Sequence, residues 1–317
     1  MGEIYFSFDE LRVIFILDVE VNNPRKHHYI PELYLKFFLG EDVKGEKLFV
    51  VDFRRQKNFS AIPKKLAKQN DFFTLKNEVD KKFSVEEEYS KFEGRIKPVL
   101  QSMIKNRKFI NGSDRVLFNR FIALLLVRGP KFRDVLFKIL DPLIRSQGAN
   151  ILLESKEEWS KRKDQPLAWE DARRLYDEGS FEVKIDNDAY VNLEVAHWES
   201  AFRFLKNRKW SFYFSSLENH NFITSDNPAF LVHRGGGELE NSQCEFFQKF
   251  DIWFPLSYDL VVISKPSVEE KCVSASLKQV ASFNSMVISN SFCQVYSKDD
   301  GFYYMSPLMQ LRKGGGA

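Results

Sequence analysis

One segment dictates much of what this chain can become. From Phe118 through Phe121, Ile122, Leu125 and Leu126 to Arg128 the spacing is helical, yet the helix is apolar on most sides. Such a helix must be central and buried, with the rest of the chain built around it. Ser113 or Asp114 is its expected N-cap. Gly129-Pro130 should interrupt it, with helix resuming over 131–140. Arg128 then sits at the end of a buried helix. An unpaired charge there is costly, so it needs an anionic partner. Glu93, Asp226 and an anionic ligand such as phosphate are the candidates.

The segments before and after that helix differ in period. Residues 84–105 read as a helix with an acidic first turn and one apolar side made by Phe92, Ile96, Val99, Leu100 and Met103. Pro98 should kink it. Further helices are expected at 169–178 and 193–205. After 209 the pattern turns to β-formers between turn residues, giving expected strands at 209–215, 221–224, 230–232, 245–254 and 260–264. A helix at 279–290 and a strand at 292–296 close the pattern. Earlier, 48–53 and 71–75 read as strands, and Pro31 suits the first turn of a short helix ended by Gly40. Gly235-Gly236-Gly237 reads as a hairpin tip. Helices first and strands later mean an α+β fold, a helix-rich N-terminal half packed on a mixed or antiparallel sheet built mainly from the C-terminal half. The expected organisation is a strand-like extension at 1–23, one α+β domain at 24–310 and a tail at 311–317. Within the domain, helices fill about 84–205 and strands about 209–298. The 31 Phe among 317 residues supply a large aromatic core.

Charge narrows little. There are 47 basic and 44 acidic residues, a net +3, so the balance favours neither nucleic acid nor membrane as a partner. The short runs Lys64-Lys65 to Lys68 and Arg203 to Lys209 read as solvated faces. Cys244, Cys272 and Cys293 are widely spaced and form no CxxC pair, which argues against a zinc ribbon and fits a reducing, cytoplasmic setting. No signal peptide is evident, and the longest apolar runs are too short to span a bilayer.

Two polar clusters stand out. His27-His28 precede the Pro31 helix. On extended chain their side chains point opposite ways, so one at most faces a site, as acid, base or metal ligand. The bland alternative is that one packs near Tyr34 and the other is exposed. The second cluster, Thr224-Ser225-Asp226-Asn227-Pro228, ends a strand. Asp226 and Asn227 could ligate a metal or orient a histidine, and Thr224 and Ser225 could donate to phosphate. A plain Asx-Pro turn, which Asp-Asn-Pro makes very well, is the reading the residues alone favour. There is no P-loop, dinucleotide fingerprint, HExxH or GxSxG.

Taken in order, these pieces are similar to a known family. His27-His28-Tyr29-Ile30-Pro31 with Tyr34-Leu35 and Phe37 or Phe38 resembles the opening HHxxPxxYLxxF of the bacterial domain of unknown function family 4238. Residues 48–52, Asn70-Asp71-Phe72-Phe73, Phe92-Glu93 with Pro98-Val99-Leu100, Arg128-Gly129-Pro130, 222–228, Phe254-Pro255-Leu256-Ser257 and Asn284 follow that family's order. The resemblance covers roughly 26–298, and residues 1–23 depart from it. It implies no known activity, but it singles out His28, Arg128, Asp226 and Asn284 together.

The leading expectation is a hydrolase acting on a phosphate-containing substrate, of the nuclease-type phosphodiesterase kind. His27 or His28 would be base or metal ligand, and Arg128 would stabilise phosphate charge. Asp226 would hold a divalent ion such as Mg²⁺ or Mn²⁺ with His28, or orient the imidazole. Thr224, Ser225, Asn227 and Asn284 would bind substrate, with Glu93 and Asp52 as extra carboxylates. A toxin or antiviral defence role is suggested by the family's flavour alone. The second reading is an ADP-ribosyl- or nucleotidyl-transferring enzyme, in which Tyr34 stacks a base and Glu93 acts at the reacting carbon. The third is a binding module for a nucleotide or a partner, without turnover.

Overall fold

Burial of the central helix organises everything else. The computed structural model describes residues 5–8, 11–14, 26–40, 47–73, 85–108, 110–153, 156–161, 168–179, 183–215, 220–233, 249–265 and 270–314. In chain order, β1 (Tyr5–Phe8) and β2 (Leu11–Ile14) pair as an antiparallel hairpin. Strand β3 (Lys26–His28) leads into the short helix α1 (Glu32–Leu35). Gly40, at φ +79°, turns the chain after it, as expected of a glycine there. Strands β4 (Leu48–Asp52), β5 (Lys57–Ala61) and β6 (Lys68–Asn70) follow.

The helical part comprises α2 (Val85–Asn106), α3 (Gly112–Val127), α4 (Pro130–Leu153), α5 (Lys156–Ser160), α6 (Trp169–Asp177) and α7 (Asn187–Leu205). Helix α3 is the apolar one, and Phe118, Phe121, Ile122, Ala123 and Leu124 have no exposed surface. It starts earlier than expected, with Asn111 as N-cap. Arg128 leaves helical geometry at φ −112° and ψ 110°, Gly129 takes φ +145°, and Pro130 opens α4. Proline disfavours helical backbone in the residue before it, which is why the break falls there. Among the described residues no helix is long and apolar enough to cross a membrane.

The strand-rich part holds β7 (Lys209–Ser215), β8 (Thr224–Ser225), β9 (Phe230–His233), β10 (Phe250–Ser257), β11 (Leu260–Lys265) and β12 (Cys272–Ala275). Helix α8 (Leu277–Asn290) begins with a capping box between Ser276 and Gln279. Strands β13 (Gln294–Ser297), β14 (Tyr303–Met305) and β15 (Leu311–Lys313) close the chain. One sheet runs β12-β7-β11-β10-β9, antiparallel except for the parallel β12–β7 pair. A second, antiparallel sheet runs β5-β4-β13-β8, so early strands pair with a late one. This is the expected α+β arrangement.

Tyr34, Phe118, Phe121, Phe254 and Tyr296 belong to one buried cluster that draws on helices and on both sheets. Within it the Tyr34 ring stacks on Phe254 at 5.1 Å, and Phe121 meets Phe254 edge-on at 6.1 Å. A separate cluster around Ile144, Trp159 and Ala172 serves α4, α5 and α6.

Several expected elements differ. Asp71 and Phe72 lie in a turn, with Asp71 at φ +51°, and the strand is β6 just before it. The strand expected at 221–224 shrinks to Thr224–Ser225, because the Phe222 N–H is taken by the Tyr258 carbonyl and the Ile223 N–H by the Asn284 side chain. Leu311–Lys313, expected to be tail, pairs with β14. Gly235-Gly236-Gly237 lies outside the described residues.

Candidate functional site

The two histidines part company as the extended backbone of β3 requires. His27 turns inward and is 3% exposed. Its Nδ1 accepts the N–H of Phe73 at 2.9 Å, its ring stacks on Phe73, and Nε2 lies 3.3 Å from the Glu86 carboxylate. With Nδ1 accepting, the ring proton sits on Nε2, facing Glu86. His27 is therefore a bracket between β3 and the 71–73 turn. His28 takes the other face, directly across from Lys68 on β6. Its Nε2 is buried and makes no hydrogen bond among the described residues. Burial, helped by Lys68 and Arg128 and opposed by Glu32, lowers its pKa to about 4. The imidazole is neutral at pH 7.

Arg128 found a protein partner. Its Nη1 donates to Glu93 at 3.1 Å, Nη2 donates to the main-chain carbonyl of His28, and the guanidinium lies over the rings of Phe73 and Tyr89. The Arg128 side chain is thus taken up by Glu93 and by the His28 backbone, and the His28 imidazole takes no part.

The 222–228 segment is likewise built into the fold. Thr224 Oγ1 and Tyr34 Oη are 2.7 Å apart, and Tyr34 donates to the Pro255 carbonyl at 2.6 Å. Both residues are fully buried, so Tyr34 has no face open to a ligand base. Ser225 Oγ accepts the Asn227 N–H at 3.1 Å, and Asn227 Nδ2 donates to the Asn290 carbonyl at 2.8 Å. Asp226 accepts three main-chain N–H groups: Phe292 at 2.7 Å on Oδ1, Cys293 at 2.6 Å and Gln294 at 2.8 Å on Oδ2. Burial pushes its pKa up, and those donors pull against the rise. Asn284 is fully buried: its Oδ1 accepts the Ile223 N–H, and its Nδ2 donates to the carbonyls of Asn221 and Tyr303.

Of these residues only Asp226 lines a cleft of about 460 Å³ between the β4–β5 turn, the 65–69 segment and the start of β13. Arg54, Arg55, Lys65 and Lys68 stand around it. Its second carboxylate, Asp52, accepts the Arg55 N–H at 2.9 Å and Gln294 Nε2 at 2.6 Å. Burial opposes ionisation of Asp52, but those two donors and the Arg55 charge outweigh it and hold its pKa low. Both carboxylates of the cleft are therefore occupied by donors, while the four cations ring the opening. His28 does not line the cleft; it pairs in register with Lys68, which does. No hydrogen bond joins His28 to Asp226 among the described residues, and no group of three or more His, Cys, Asp or Glu side chains gathers among them.

The cations were missed as site residues. The run Lys64-Lys65 to Lys68 reads as a solvated face and Arg54-Arg55 carries no signal of its own, and only the pairing of β4 with β13 and of β3 with β6 brings Arg54, Arg55, Lys65 and Lys68 around one opening.

Fold and site together define an α+β protein with a cationic cleft beside a buried histidine strand. A family model described as "Protein of unknown function (DUF4238)" matches residues 26–301, and the chain belongs to this family. No curated protein matches the chain. No solved structure matches it either.

Proposed function

We propose that the protein binds a phosphate-containing ligand in the 460 Å³ cleft. One observation carries this: Arg54, Arg55, Lys65 and Lys68 line a single opening whose own carboxylates, Asp52 and Asp226, already hold donors. Asp52 stays ionised and lies 4.0 Å from the Arg55 guanidinium, so four cations face two carboxylates, and that excess raises the local positive potential and suits phosphate oxygens. Arg54 and Lys65 are exposed, so reversing their charge should spare the fold. The test is equilibrium binding of a fluorescent nucleoside triphosphate, with pyrophosphate as competitor. Arg54→Glu and Lys65→Glu should each weaken binding about tenfold, of the order expected for losing one charge-assisted contact. Binding that ignores both reversals, or no binding of any phosphate compound by folded protein, would overturn the proposal.

Hydrolysis of the bound ligand is a second reading, favoured by His28. Its neutral imidazole keeps an unpartnered Nε2 and stands across from Lys68. Burial is the main cause of the low His28 basicity, and a phosphate held by Lys68 would offset the smaller part that the cations add. In that step a water oxygen attacks phosphorus, its proton passes to Nε2, and the ester P–O bond breaks, with the leaving oxygen protonated by solvent. Labelled RNA and DNA incubated with wild type and with His28→Gln would decide it, each with and without chelator. Cleavage by wild type that His28→Gln abolishes supports the reading, and binding without cleavage leaves a binding module. The transferase alternative has less support, since Tyr34 is closed off and Glu93 is paired with Arg128.

A further inference from the structure

A second cleft, of about 860 Å³, adjoins the first and shares Lys65, Lys68 and Gln69 with it. Lys26 and Lys64 add two more cations on its side. Either volume falls within the range of roughly 300–1,000 Å³ that holds one small ligand. A mononucleotide filling one cleft would leave the cations of the other unmatched. In the β3–β6 pairing Lys26 lies opposite Asn70, two residues along from Lys68.

The first cleft also carries aromatic surface. Tyr29, Phe59 and Phe292 line it, with Lys57 5.4 Å from the Phe59 ring centroid and Arg54 5.2 Å from that of Phe292. Cations interleaved with rings match a strand whose phosphates alternate with flat bases. An acidic peptide would use the cations and leave the rings idle.

We infer that the ligand is a single-stranded polynucleotide that enters the first cleft and crosses the Lys65–Lys68 rim into the second. The inference rests on the phosphate-binding reading above and assigns its substrate class. Lys26 and Lys64 are exposed and belong to the second cleft alone, so the double variant Lys26→Glu/Lys64→Glu separates the two ideas.

The experiment is fluorescence anisotropy with a labelled mononucleotide, a labelled hexanucleotide, a duplex of equal length and labelled polyglutamate, on the full chain at several salt concentrations. The hexanucleotide should bind at least about tenfold more tightly than the mononucleotide. The double variant should lose that gain while its mononucleotide affinity stays unchanged. Its slope of log K against log salt should fall by about 1.4, two contacts at roughly 0.7 each. Equal affinity for the two lengths, or no effect of the double variant on the hexanucleotide, overturns the inference and leaves phosphate binding standing. Tighter binding of duplex or of polyglutamate overturns it in favour of that partner. No binding of any probe, the mononucleotide included, removes both.

Discussion

Arg128 holds His28 by its backbone: the guanidinium donates to the His28 carbonyl 100 residues earlier in the chain, while its other arm reaches Glu93. The end of the central helix is thereby fastened to the histidine strand, with Phe73 and Tyr89 against the guanidinium. A charge so buried is stabilising only with its partners in place, and removing one strands the other. Arg128→Met should cost roughly 2–4 kcal/mol of stability, read from urea denaturation. Arg128→Lys keeps the charge but cannot make both bonds, and should recover only part of the loss. Phosphate binding per folded molecule should fall little in either variant. Full stability with abolished binding would instead put Arg128 on the ligand.

His28 should make stability depend on pH with a definite sign. The unfolded imidazole takes up its proton near 6.5, and the folded one only near 4. Between those values the unfolded state binds more protons, so stability rises with pH there. Lowering pH from 6.5 toward 4 should therefore cost stability, about 1–2 kcal/mol once solvent screening is allowed for, and the contribution is flat above 6.5. Denaturation midpoints measured at pH 5 and pH 7 for wild type and His28→Gln check this. The variant should show a smaller difference between the two. An unchanged difference would mean that His28 titrates normally in the folded protein.

The parts of this design that rest on long patterns were legible in the sequence. The all-round apolar character of 118–127 demanded burial, Gly129-Pro130 demanded a break, and Arg128 demanded an anion, which Glu93 supplies. The opposite orientation of His27 and His28 follows from extended backbone alone. What stayed hidden has a common cause. Strand β6 is three polar residues, Lys68–Asn70, with no alternation to betray it, and it forms because β3 offers a partner edge. Likewise Asp226 read as a metal ligand, a partner for a histidine or part of a plain Asx-Pro turn. Its three donors come from residues 66 to 68 positions later, a distance over which local sequence carries no signal. The cleft draws on segments far apart in the chain, so Lys65 and Lys68 read as part of a solvated run and Arg54 and Arg55 went unnoticed.

Asn284 illustrates how a residue singled out by family resemblance can serve the framework. Its amide satisfies the Ile223 N–H and the carbonyls of Asn221 and Tyr303, holding the strand that carries Asp226. Asn284→Asp keeps the acceptor but turns the two-donor end toward two carbonyls as an oxygen. That should cost roughly 2–4 kcal/mol in a buried site. Thermal and urea unfolding of the variant measure it. A variant of wild-type stability that no longer binds phosphate compounds would show that Asn284 acts on the ligand.

Cys293 offers a way to locate the ligand without relying on turnover. It lines the first cleft beside Asp226, whereas Cys272 is exposed on β12, outside the residues that line it. Burial, and then the Asp226 charge, push the Cys293 thiol up, so less of it is thiolate at neutral pH. Since the thiolate is the nucleophile, Cys293 should alkylate more slowly than Cys272 in the free protein. A phosphate-containing ligand seated among Arg54, Arg55, Lys65 and Lys68 would cover the approach to Cys293 and leave Cys272 open. In a Cys244→Ser background, iodoacetamide labelling followed by peptide mass spectrometry should show Cys293 protected severalfold by saturating ligand and Cys272 unchanged. Equal labelling of both cysteines with and without ligand, under conditions where binding is measured independently, would place the ligand somewhere other than this cleft.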